Sequence, residues 1–202
     1  MSANLPALYT VASTPRLGEG DARAACGPIC RACKQAEPRA GEDQPLVLPL
    51  DRYAGEPLVS VGRGWAVSAA LARAFEAAGL RGYQLREIPD LPSGLLLQLV
   101  ITGRAQAASS WWRRMRDCPT CHRPIWRMTT NTTRALFAAV RGEIAMPRSV
   151  YRERWQGDDL FYLDDPGPPI VTAATKAVLE GLAIPGLVLH PARFVRDRRL
   201  WV

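Results

Sequence analysis

Two cysteine pairs carry the chemistry most plainly written in this chain. Cys30-Arg31-Ala32-Cys33 and Cys118-Pro119-Thr120-Cys121 both have two residues between their thiols. That spacing lets a tight turn aim two sulfurs at one ion, and two such turns complete a tetrahedron. Four soft thiolates suit Zn²⁺, which brings no redox chemistry of its own. The pairs therefore predict a four-thiolate zinc site at Cys30, Cys33, Cys118 and Cys121. With all four positions filled by protein, such a site is structural rather than catalytic. Two alternatives stay open at this level. Cys118 and Cys121 alone have the spacing of a redox dithiol, although Pro124 so soon afterwards favours a metal knuckle. A fifth cysteine, Cys26, is able to replace Cys30, and His122 to replace Cys121, in the ligand set.

No other constellation points to catalysis. The histidines are His122 and His190 alone. There is no glycine-rich phosphate loop, no G-x-S-x-G elbow and no H-E-x-x-H. The zinc-deaminase pattern of H-x-E followed by P-C-x-x-C is missing as well. The chain reads as a non-enzyme. Asp158-Asp159 and Asp164-Asp165 read as solvated turn residues.

The formal net charge over 202 residues is +7. Lys34 and Lys176 are the lysines, and every other basic residue is arginine. GC-rich codons encode Ala, Gly, Pro and Arg, so genome composition accounts for part of this excess. The charge is still uneven. Arg113, Arg114, Arg116, Arg123 and Arg127 surround the second cysteine pair, and Arg193, Arg196, Arg198 and Arg199 crowd the C-terminus. Such clusters suit phosphate or an acidic protein face. Trp111-Trp112 beside Arg113-Arg114 suits nucleic-acid stacking and a protein hot spot equally. A zinc-ribbon nucleic-acid binder is thus one reading of the chain.

No stretch approaches the ~20 apolar residues of a membrane span. Met1 to Thr10 lacks a basic region followed by an apolar block. Both observations predict a cytoplasmic protein without a membrane, where thiols stay reduced and available to metal.

The elements that must position the knuckles follow from hydrophobic periodicity. Val67, Leu71, Ala74, Phe75 and Ala78 fall on one helical face, with Ser68 as N-cap and Gly79 as stop. Residues 83–88 alternate as a strand ended by Pro89. Residues 46–48 and 95–101 read as strands, and 133–140 as a helix. The helix–turn–strand unit recurs at an offset of 104 residues. Val67 matches Val171, Ser68 matches Thr172, Glu76 matches Glu180, and Gly82 matches Gly186. The expected fold is α+β, a duplicated helix–turn–strand module with an inserted zinc-ribbon-like knuckle pair of four cysteines. One pseudo-symmetric domain over 1–202 would comprise a zinc-knuckle half, 1–128, with the first repeat at about 58–90, and a second half, 129–202, with its repeat at about 160–194.

Two separated knuckles, the segment from Val67 to Gly82 between them and its echo near the C-terminus together resemble the double-CXXCG motif proteins of myxobacteria. The resemblance runs from Tyr9 to Phe194, with Lys34 and His122 standing where each knuckle's glycine belongs. Glycine there permits a left-handed backbone beside the metal. The resemblance implies an immunity protein that neutralises a cognate toxin protein by direct stoichiometric binding.

Overall fold

The computed structural model describes residues 5–13, 30–33, 46, 48, 53–61, 64–89, 91–109, 112–122, 124–128, 148–164 and 167–197. The helix predicted at 133–140 lies outside them, as do Cys26, Lys34, Trp111, Arg123, Arg198 and Arg199.

The first sheet has four strands in the order β2-β3-β5-β4. These are β2 (Leu58–Val61), β3 (Gly64–Ser68), β4 (Tyr83–Glu87) and β5 (Leu96–Ile101), all paired antiparallel. Between β3 and β4 lies α1 (Ala69–Ala77), whose first turn is closed by the Ser68 hydroxyl accepting the Leu71 N–H at 3.3 Å. Leu71 and Phe75 on its inner face are fully buried. The expected strand at 46–48 does not form as such: Leu46 is buried outside any strand, and its N–H donates to Gln98 Oε1. Val47 lies outside the described residues.

The second sheet takes strands from both ends of the chain and from its middle. It contains β1 (Leu8–Ser13), β6 (Gly103–Ala105), β7 (Ala107–Ser109), β10 (Arg148–Tyr151), β11 (Leu160–Leu163), β12 (Ile170–Thr172) and β13 (Val188–Val195). Their order is β6-β11-β12-β1-β13-β10-β7. A second helix, α2 (Ala173–Gly181), connects β12 to β13, and β1 is inserted between those two strands. The two outermost strands, β6 and β7, follow one another in sequence with Gln106 alone between them. The sheet therefore curls until its edges nearly meet, making a barrel-like closure that leaves little bare edge. At the seam the Asp164 N–H donates to the Ala105 carbonyl, the Tyr151 N–H to the Gln106 carbonyl, and the Ala107 N–H to the Asp164 carboxylate at 2.8 Å.

This architecture overturns the α+β expectation. The fold is mostly β, with a nearly closed β-barrel-like sheet and two α-helices among the described residues, and is not a duplicated helix–turn–strand module. The physical reason lies in which elements announce themselves locally. Helical periodicity is visible within nine residues, whereas strands such as β6, β7 and β12 are three residues long. So short a strand exists only because a distant segment pairs with it.

Three apolar clusters form among the described residues. The largest lies under the helices, where Leu71 and Phe75 of α1 and Leu179 of α2 meet Leu58, Val67 and Leu160. A second fills the barrel with Leu8, Val150, Phe161 and Ile170, backed by Trp155 and Phe194. A smaller one gathers Leu46, Val59, Ala66, Ile88 and Leu96. Gly82 and Gly103 both approach the Leu160 carbonyl closely. A Cβ on either glycine would stand 2.2 or 2.3 Å from that oxygen, so only glycine permits the approach.

Candidate metal centre

The second knuckle sits at the tip of a hairpin made by β8 (Trp112–Asp117) and β9 (Pro124–Met128), which pairs with no other described strand. Two-stranded hairpins are marginal alone in water, so a cross-link at the tip would strengthen this one. Cys118 directly follows β8 and Cys121 lies in the turn. The His122 N–H closes the turn by donating to the Cys118 carbonyl at 2.9 Å. To do so His122 takes φ = 55°, the left-handed conformation that glycine adopts most readily. The histidine thus takes a backbone geometry that a glycine would adopt without strain. Lys34, its counterpart after the first knuckle, lies outside the described residues.

The first knuckle, a turn over Cys30 to Cys33, comes from a segment 88 residues earlier, and the two turns meet. Cys30 Sγ lies 3.9 Å from Cys118 Sγ, and Cys33 Sγ lies 3.7 Å from Cys121 Sγ. All four sulfurs are within 4.8 Å of one another. Cys118 and Cys30 are buried, at 1 % and 8 % exposure, while Cys33 and Cys121 are half-buried.

These distances fit a metal and not a disulfide. A disulfide brings sulfurs to about 2.05 Å, and all four thiols are free. Zinc–sulfur bonds of about 2.3 Å place the corners of a thiolate tetrahedron about 3.8 Å apart. The two short sulfur pairs match that edge.

Electrostatics favour the thiolate. The backbone N–H groups of Cys33 and then Ala32 donate to Cys30 and lower its pKa from the ordinary 9.0, against the opposing effect of burial. In the second knuckle, the N–H groups of Cys121 and then Thr120 do the same for Cys118 and hold it at about 6. Amides two and three residues after each leading cysteine thus stabilise its negative charge. The four cysteines form a cluster able to hold a metal ion. Of the two substitutes allowed by sequence, Cys26 lies outside the described residues, and the exposed His122 is absent from the four-sulfur group.

No family model matches this chain, and no curated protein matches it.

The arginines divide by place. Arg113, Arg114, Arg116 and Arg127 are all exposed on the hairpin. Arg193 instead points a guanidinium at the Ser149 hydroxyl, 3.3 Å away on the barrel. Sequence reasoning groups the hairpin arginines as one cluster and misses their division between two faces. The signal is present in part, because the CxxC turn implies a hairpin, but the register that sorts the faces depends on a bulge. His190, half-buried, stands opposite Thr10 in the sheet.

Proposed function

We propose that the four-cysteine cluster holds a structural Zn²⁺, and that the chain works by binding a protein partner stoichiometrically, as the immunity protein of a cognate bacterial toxin. The observation that carries the metal assignment is the pair of cross-knuckle sulfur distances, 3.7 and 3.9 Å. Four thiolates complete the coordination sphere, so Zn²⁺ there would supply a fixed cross-link and leave no position for substrate or water. A reducing cytoplasm is the compartment that keeps such thiols available. No described helix is long and apolar enough to cross a membrane.

The antidote role rests on the resemblance of the knuckles and of the Val67–Gly82 segment to the double-CXXCG proteins. A closed metal site on a barrel-like scaffold agrees with binding rather than turnover. Titrating the protein against its co-expressed toxin tests it. Growth protection should appear as the ratio reaches one to one and should need no turnover. Protection at far less than one equivalent would replace the antidote reading with an enzymatic one.

A further inference from the structure

The hairpin that carries the second knuckle has two chemically different faces, and a β-bulge makes them so. Arg113 stands directly opposite Arg127, Arg114 opposite Trp126, Arg116 opposite Ile125, and Asp117 opposite Pro124. The register shifts between Arg114 and Arg116, leaving Met115 as the extra residue. Side chains alternate along a strand, so Arg113, Arg127 and Arg116 share one face with Ile125. Arg114, Trp126 and Asp117 share the other. Without the bulge Met115 would fall on the face with Arg113, and Arg116 would fall opposite to it. The bulge therefore gathers three arginines on one side, and bulges commonly re-aim a side chain in this way.

The two faces also differ in compensation. Arg114 is neutralised by Asp117, with a guanidinium nitrogen 2.6 Å from the carboxylate. Arg113, Arg116 and Arg127 have no acidic partner among the described residues. Like charges directly across a strand pair are destabilising. The hairpin carries the Arg113–Arg127 repulsion while pinned at its tip by the knuckle cluster.

We propose that this arginine face binds the phosphate backbone of duplex DNA, without reading its sequence. Three features favour that partner. Two guanidinium groups facing each other on neighbouring strands call for a counter-charge of unusual density. A duplex offers one negative charge per about 1.7 Å of axis, whereas protein surfaces usually intersperse both signs. A two-stranded β-ribbon also fits the major groove, about 12 Å wide. Trp126 belongs to the opposite face, so the arginine face lacks a described aromatic on which unpaired bases would stack. Contact is then with phosphates, and duplex should be preferred over single strands. This surface is independent of the toxin-binding reading and stands or falls separately.

The test is fluorescence anisotropy of the metal-loaded full chain with a short random-sequence DNA duplex, its single strands, and poly-glutamate, across a salt series. Wild type should bind the duplex best, with log affinity falling linearly with log salt. Arg113→Ser/Arg127→Ser should flatten that slope by about two and weaken low-salt binding at least about tenfold, and Arg116→Ser should flatten it by about one. Metal content is measured on each variant to show that the hairpin is intact. Two controls should leave the slope unchanged. Arg114→Ser/Asp117→Ser removes the neutralised pair, and Arg73→Gln/Arg154→Gln removes two exposed charges from the body. An equal loss in the body variant would overturn the proposal, since it would show only general charge attraction. Tighter binding to single strands would also overturn it. Poly-glutamate binding as tight as duplex would transfer the face to acidic proteins.

Discussion

Cys30 and Cys118 bring their sulfurs to 3.9 Å across 88 residues of chain, and the hairpin that Cys118 terminates has no other described strand beside it. The approach of these two residues ties the hairpin tip to the turn over Cys30 to Cys33. Closing so long a loop in the unfolded chain is entropically costly, so metal binding and local folding are coupled.

Removing the metal should therefore act locally. Chelation, or Cys118→Ser, is expected to abolish stoichiometric zinc and open the hairpin to protease near Arg113–Arg127, while the barrel and the helical core persist. Elemental analysis and limited proteolysis followed by mass spectrometry check this. Protease resistance in the hairpin of the metal-free protein would show that the cluster is not its anchor.

His122 supplies a second prediction. A side chain held in the left-handed region costs roughly 1–2 kcal/mol, which glycine largely avoids. His122→Gly should therefore raise the stability of the knuckle by about 1 kcal/mol, less the added flexibility of the unfolded chain. Resistance to a competing chelator measures it. Weaker metal retention in His122→Gly would mean that the imidazole itself contributes.

The thiols set a pH dependence with a definite sign. Cys118 has its pKa lowered from 9.0 to about 6 by the Cys121 and Thr120 amides. A depressed acid favours the folded state above the unfolded value, and that stabilisation is lost as pH falls through the folded value. These amides belong to the knuckle turn itself, and while that turn stays closed in reduced, metal-free protein the Cys118 contribution is complete above about 9 and gone below about 6. A Cys30→Ser/Cys33→Ser/Cys121→Ser variant would retain the amide contribution but lose the neighbouring thiols. The midpoint of its thiolate absorbance should lie between those limits, and an ordinary midpoint near 9.0 would remove the amide effect.

The hydroxyls at the two helix starts should differ in their coupling to Asp159. Ser68 accepts the Leu71 N–H, so Ser68→Ala should cost about 1 kcal/mol by loss of a cap. Thr172 makes no cap hydrogen bond and instead donates to Asp159 Oδ1 at 2.7 Å. Asp159 also accepts the Arg81 N–H at 3.0 Å, tying the start of β11 to the turn after α1. The effect of Thr172→Val should therefore be suppressed in an Asp159→Ala background, whereas that of Ser68→Ala should add independently. Denaturant melts of the single and double variants decide it.

The apolar core gives a simpler expectation. Phe75 is 1 % exposed beneath α1 and meets Tyr83 edge-on at 5.4 Å. Phe75→Ala should destabilise the protein by about 3–5 kcal/mol through lost burial and the cavity left behind. Zinc stoichiometry should survive in the folded fraction, because none of the four cysteines belongs to the cluster around Phe75.

Some of this protein is written in short stretches of sequence. The thiol donors at Cys30, Cys33, Cys118 and Cys121 are legible because metal ligation needs particular residue types at particular spacing. The helix at Ala69–Ala77 is legible because its cap, apolar face and terminating glycine fall within a dozen residues. The left-handed turn at position 122 is not legible in this way, because histidine occupies it and only the family resemblance places a glycine there. Tertiary structure alone decided the rest. Nothing local marks Gly103–Ala105 and Ala107–Ser109 as the two edges of one sheet, because each is defined by a partner far away. Nothing local assigns Arg116 to the face of Arg113, because one bulged residue reverses the alternation. The fold class went the same way. Helices satisfy their hydrogen bonds within themselves and are announced by period, whereas strands satisfy theirs across the chain, so a mostly β molecule declares itself only when folded.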